Sequence, residues 1–191
     1  MKVTEKQKQV GITIFLLFLF GCVVGWIYEI LFYRIDTGHF IKRGQGFGPW
    51  LPIYGFGTLA IMAFMYKRKQ SPAAVFFGSA LTAGILEFIT GWALFRFGGG
   101  LRLWDYNTEI WNWGNIGGYV CFRSVLIFGL AGLFLVYFAM PLCFQITSKM
   151  KTSYLMAITI PLAIVFAMDL IIGYIVRPLL VIITMLSHIS S

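Results

Sequence analysis

Three carboxylates, Glu29, Glu87 and Asp169, stand inside apolar runs long enough to cross a bilayer. About 20 apolar residues span a hydrocarbon core roughly 30 Å thick. Such runs lie at 10–33, 49–66, 73–97, 124–146 and 154–176. Lipid offers an open backbone no hydrogen-bond partner, so each run is predicted to be a helix. The expected fold class is therefore all-α, a polytopic transmembrane bundle of about five crossings. It fills residues 1–191 as one integral membrane domain. A chain that is 59% hydrophobic and 12% charged has too little polar surface to be a water-soluble domain.

Placing an ionised side chain in hydrocarbon costs about 2.5 kcal/mol or more even on lenient insertion scales. The three acids must therefore face a partner, water or a ligand, and they mark where a site is to be sought. At about 1.5 Å per helical residue, Glu29 lies roughly 28 Å from the start of its run, and Glu87 and Asp169 roughly 22 Å from theirs. Arg43 and Arg123 approach the same level from the ends of the two long links, and Trp104 and Asp105 stand in the second of those links. Gly21, Gly25 and Glu29 recur every four residues, and Ala80, Gly84, Glu87 and Gly91 share one helical face. Small residues let helices approach closely, so both stripes read as packing seams that turn the glutamates inward. Asp169 shares a face with Gly173 and is read in the same way. Glu29, Glu87 and Arg123 are expected to form one interacting set, with Arg43 and Asp105 next to it. Counting Glu29, Glu87, Asp169 and Asp105 against Arg43 and Arg123 leaves two negative charges, which a cation or protons would relieve.

Orientation follows from the links. The short ones, 67–72 and 147–153, alternate with long ones, 34–48 and 98–123, so each kind has its own side of the membrane. The short-link side holds Lys2, Lys6, Lys8, Lys67, Arg68, Lys69, Lys149 and Lys151 against Glu5, which places the amino terminus in the cytoplasm. The cations of the other side are mixed with Asp36, Asp105 and Glu109 and are expected to pair locally. Trp26, Trp50, Trp92, Trp104, Trp111 and Trp113 all fall in the outer half or the outer loops, as a headgroup belt or a folded-back aromatic cap. The net charge of +8 sits at segment ends, where anionic headgroups attract it, so no nucleic-acid partner is implied.

Other chemistry finds little support. Cys22, Cys121 and Cys143 have no metal-ligand spacing and form no disulfide framework. The apolar run continues past Cys22, so the first helix is an uncleaved anchor. His39 and His188 stand alone, although Glu29, Glu87 and Asp169 together could offer oxygens to a hard cation. No cofactor motif is present. Gly98-Gly99-Gly100 reads as a flexible turn, and Pro49 and Pro52 either kink the second helix or simply start it. Gly-Trp-Ile-Tyr-Glu29 resembles Ala-Gly-Ile-Leu-Glu87, and Ile53-Tyr54-Gly55 resembles Ile127-Phe128-Gly129, a pattern of parallel duplication of a two-helix hairpin.

Several motifs occur together: Gly25-Trp26-Ile27-Tyr28-Glu29, Gly38-His39-Phe40-Ile41-Lys42-Arg43-Gly44, Gly48-Pro49-Trp50-Leu51-Pro52-Ile53-Tyr54-Gly55, Leu86-Glu87-Phe88-Ile89-Thr90-Gly91 and Trp104-Asp105-Tyr106. Jointly they resemble the CmpB-like family of ABC-transporter-type membrane permeases, a likeness that continues through 123–129 to Asp169. The resemblance implies a multi-pass permease and no enzyme. The chain has no G-x-x-x-x-G-K-[ST] loop, so a separate ATPase would be needed, and inner links of six or seven residues argue against direct coupling to one. Membrane lipid, further membrane subunits and copies of the chain itself are the partners to expect. The alternatives are an accessory membrane protein with a structural ion-pair cluster, and an intramembrane carboxylate-dependent hydrolase.

Overall fold

The structure, a computed structural model, describes residues 4–180 together with 183 and 184. Lys2 and His188 lie outside the described residues. The described chain is helical, with α1 at Glu5–Thr37, α2 at Pro52–Met65, α3 at Pro72–Phe97, α4 at Phe122–Ser148 and α5 at Thr152–Leu180. All but α2 are long and apolar enough to cross a membrane. The chain is a multi-pass membrane protein of about five crossings.

Local chemistry sets the helix ends. Thr4 and Gln7 close a reciprocal capping box on α1, and Gly38 terminates it at φ 76°. Ser71 caps α3 by accepting from the Ala74 amide at 3.2 Å, with Pro72 at the first helical position. Gly99 and Gly100 take positive φ just after α3, so the triple glycine is the turn expected of it. One turn of wider π-type winding, Leu135–Ala139, lies in α4 immediately before Pro141, and another, Ile172–Val176, in α5 just before Pro178. Proline lacks the amide its turn needs and crowds the carbonyl four residues back, so the helix widens there rather than breaking.

The small-residue seams are close approaches between helices. A side chain at Gly21 or Gly25 would collide with Thr58 or Tyr54 of α2, and one at Gly132 of α4 with Ser79 of α3. α1 thus packs along α2, and α3 along α4. Leu17, Ile61, Met65, Val75, Leu135, Val136 and Met140 form the core where these four helices meet. A second cluster, Phe18, Leu19, Cys22 and Phe166 with Trp50 beside it, joins α1 to α5.

The second crossing differs from the expected run 49–66. Pro52 sits at the start of α2 and does not kink it, while Pro49 belongs to a run of bends, 44–49. That re-entrant segment turns back into the bundle. The Leu51 amide donates to the Cys22 carbonyl at 3.0 Å, halfway along α1. Asp169 of α5 accepts from the Phe47 amide at 2.6 Å, the Gly48 amide at 3.2 Å and Trp50 Nε1 at 2.7 Å. Non-helical backbone at this depth must find partners within the protein, and the carboxylate supplies them. The approach needs glycine: a Cβ on Gly173 would stand 2.8 Å from the Gln45 carbonyl oxygen, and one on Gly46 would collide with the Asp169 carboxylate.

Candidate functional site

The remaining acids converge beneath the long loops. Glu29 Oε2 lies 2.5 Å from Arg43 Nε, and its Oε1 accepts from Tyr54 Oη of α2 at 3.0 Å. Arg43 also donates to the Leu103 carbonyl at 3.1 Å, and its guanidinium covers the Tyr33 ring at 4.1 Å. Glu87 accepts from Tyr106 Oη at 2.5 Å and from Ser124 Oγ of α4 at 2.9 Å. Burial, followed by the neighbouring Glu87 charge, holds the Tyr106 phenol well above its ordinary pKa, so it stays a donor.

Arg123, the third residue of the expected set, pairs with neither glutamate. Its Nη2 donates to Glu109 Oε2 at 2.6 Å and its Nη1 to the Ile110 carbonyl at 2.9 Å, while its guanidinium lies 3.8 Å from the Phe32 ring centroid. Tyr33 Oη donates to the other Glu109 oxygen. The direct contacts therefore run Glu29 to Arg43 and Arg123 to Glu109, rather than from Arg123 to the helix acids. The reason is reach: the 98–121 loop folds back over the bundle and delivers a carboxylate, Glu109, to the Arg123 guanidinium. Glu109 stood in the sequence only as one loop acid among several.

Glu29, Glu87, Glu109 and Arg123 line one cavity of about 230 Å³ between α1, α2, α3 and α4. Tyr28, Tyr33, Tyr54, Trp104 and Tyr106 complete its polar end, and Phe20, Val24, Ile61, Ala131, Phe134 and Leu135 its apolar end. Glu87, Glu109 and Arg123 are each less than 9% exposed. Three carboxylates face two guanidiniums once Arg43, behind Glu29, is counted, so the formal excess is one negative charge rather than two. Among the described residues Glu87 has no cation within ion-pair distance. A second cavity of about 650 Å³ opens on the far side of Glu29, with Lys42, Arg43 and Arg102 at its rim. Glu29, Ile53, Leu86 and Trp104 line both cavities and form the partition between them.

Asp169 and Asp105 stand elsewhere. Asp169 is occupied by the re-entrant segment, as described above. Asp105 accepts from Arg102 at 3.3 Å and from Asn107, ordering its own loop. Among the described residues no three of His, Cys, Asp and Glu converge as a metal site requires, so Glu29, Glu87 and Asp169 do not form a joint oxygen cage. Trp104 reaches the cavity and donates from Nε1 to the Tyr119 carbonyl at 2.9 Å, whereas Trp111 and Trp113 are exposed at the loop surface.

Comparison with curated proteins and with solved structures returns no match. The model of one family matches residues 16–174, a stretch that reaches from within α1 to within α5 and takes in the re-entrant segment and every residue of the cavity. On that match the chain belongs to the CmpB family, described as "Putative ABC-transporter type IV".

Proposed function

We propose that this protein is a permease-type membrane subunit whose outer-half cavity binds a small cationic group, with Glu87 as its counter-ion and Glu29, Arg43, Glu109, Arg123 and Trp104 around it. The observation that carries this reading is the charge balance: both guanidiniums are already matched, and one buried carboxylate is left over. A cation brought beside Glu87 would gain a strong interaction in low dielectric, whereas an anion would meet unfavourable charge. The family's description, of a transporter, supports a non-catalytic role. Orientation with the amino terminus in the cytoplasm belongs to the same proposal, and places the cavity toward the external face.

The test is reconstitution of the purified chain in liposomes, with uptake and binding of labelled amines and metal cations measured for the wild type, Glu29→Gln and Glu87→Gln. Cation binding lost at least tenfold in Glu87→Gln, with helicity and elution unchanged, is the expected result. Binding that is indifferent to Glu87 would favour the second reading, an accessory membrane protein. That reading draws on the Glu29–Arg43 and Arg123–Glu109 pairs, whose geometry is sufficient to hold loops onto a bundle.

A further inference from the structure

The lower half of the cavity is apolar, and its wall is incomplete. Four of its lining residues, Phe20 and Val24 of α1 and Ala131 and Phe134 of α4, are themselves exposed on the lipid-facing surface. α1 packs on α2, and α4 on α3, but between α1 and α4 at this level the bridge is the pair of rings Phe20 and Phe134, 6.5 Å apart. Those same two rings begin a second void of about 410 Å³, an apolar groove between α1, α4 and α5. Leu16, Phe138, Leu142, Ile146 and Ile158 line it. A polar cavity, a side opening to lipid and an apolar groove therefore meet at this pair of rings. Along α4 the distance is roughly 15 Å from Ser124, the partner of Glu87, to Phe134, and roughly 18 Å further to Ile146.

We infer that the cationic group held at Glu87 is the head of a membrane amphiphile, a long-chain amino alcohol or chemically similar lipid amine, which enters from the bilayer between α1 and α4 and lays its chain in this groove. The inference rests on the cation reading above and adds the ligand's class and its way in. Charge selects the ammonium, because Glu87 is the unmatched acid. The adjacent oxygen answers Arg123, whose buried Nε–H has no hydrogen-bond partner and which lines the same cavity. Direction agrees as well: the polar end lies under the loops and the apolar end toward mid-membrane, as in a lipid of the leaflet on that side. A freely soluble solute would leave the apolar half of the cavity and the side opening without use.

The experiment uses the full chain in nanodiscs with a photoactivatable long-chain 2-amino alcohol carrying a diazirine in its tail. Its cross-links are mapped by peptide mass spectrometry. The expected result is labelling concentrated on Phe134 and Phe138, at least tenfold weaker in Glu87→Gln and for the matching long-chain diol. Leu16→Trp, at a groove position outside the cavity, should reduce it similarly while leaving binding of 2-aminoethanol unchanged; this variant carries the test should Glu87→Gln fold poorly. Labelling spread evenly over all lipid-facing helices, and equal in the variants, identifies ordinary surrounding lipid and overturns the inference. Glu87-dependent binding of 2-aminoethanol without tail labelling overturns the amphiphile and leaves the cation reading standing. Loss of Glu87 dependence for both probes removes both.

Discussion

Glu29, Glu87 and Glu109 each accept from a tyrosine hydroxyl, and in two cases the donor sits inside one of the motifs that carry the family resemblance. Tyr54 of Pro52-Ile53-Tyr54-Gly55 donates to Glu29, and Tyr106 of Trp104-Asp105-Tyr106 donates to Glu87. The motifs co-occur because the acid and its donor are one unit split across the chain. Arg123 and Glu109 are the more demanding pair, each less than 9% exposed. Arg123→Leu leaves Glu109 charged with only Tyr33 to solvate it, and is expected to cost about 3–5 kcal/mol. Replacing Arg123 and Glu109 together by leucine should cost much less than the sum of the single changes, since no bare charge remains. Unfolding in mixed micelles across the four-protein cycle measures this. Strict additivity would mean that the two side chains do not interact. The same cycle on Glu29 and Arg123 should come close to additive, because neither is the other's hydrogen-bond partner.

At the scale of elements, the re-entrant segment depends on one carboxylate and two glycines. Hydrogen bonds to a charged group contribute about 1.5–3 kcal/mol each, and Asp169 accepts three. Asp169→Asn keeps one acceptor oxygen and should loosen the segment by roughly 3 kcal/mol. A cysteine placed at the exposed Phe47, in a background without the native three, should then react faster with a water-soluble maleimide; an unchanged rate would disconnect Asp169 from the loop. Gly173 gives a prediction of unusual sign. Glycine to alanine inside a helix ordinarily stabilises by about 1 kcal/mol, but here the new methyl would stand 2.8 Å from the Gln45 carbonyl. Gly173→Ala should therefore destabilise, and should raise Phe47→Cys labelling just as Asp169→Asn does. The sequence showed Asp169 and Gly173 on one face. It did not show what that face meets, because a non-helical segment within the bundle has the same apolar composition as a helix start, and the run 49–66 merged the two. The helices themselves were legible from the length of the apolar runs. The pairing of Arg43 and Arg123 was not, since long flexible side chains on folded-back loops choose partners by three-dimensional reach.

For the whole molecule, the two ends of the bundle differ in how their charges are paired. At one end the short links gather: Gln9 Nε2 donates to the Met150 carbonyl at 2.9 Å, Thr13 and Thr147 hydroxyls meet at 2.8 Å, and Tyr137 Oη donates to the Lys69 carbonyl at 2.7 Å. Lys67, Arg68, Lys69, Lys149 and Lys151 cluster around them without an acid in an ion pair among the described residues. At the other end Arg43, Arg102 and Arg123 are each matched by Glu29, Asp105 or Glu109. Near-equal raw counts of Lys and Arg on the two sides therefore conceal an imbalance: among the described residues Lys8 alone is ion-paired at the first end, whereas three cations are paired at the second and Arg34, Lys42, Arg96 and Arg177 are not. Cations resist translocation and are retained on the cytoplasmic side, so the short-link end with the amino terminus should face the cytoplasm. Cysteines at Gln70 and Thr108, introduced after replacement of Cys22, Cys121 and Cys143, test this in intact cells. Thr108→Cys should react with an impermeant maleimide from outside, and Gln70→Cys only after the membrane is opened. Labelling of both from outside would remove the five-crossing topology, and the reverse pattern would invert the bundle and turn its cavity toward the cytoplasm.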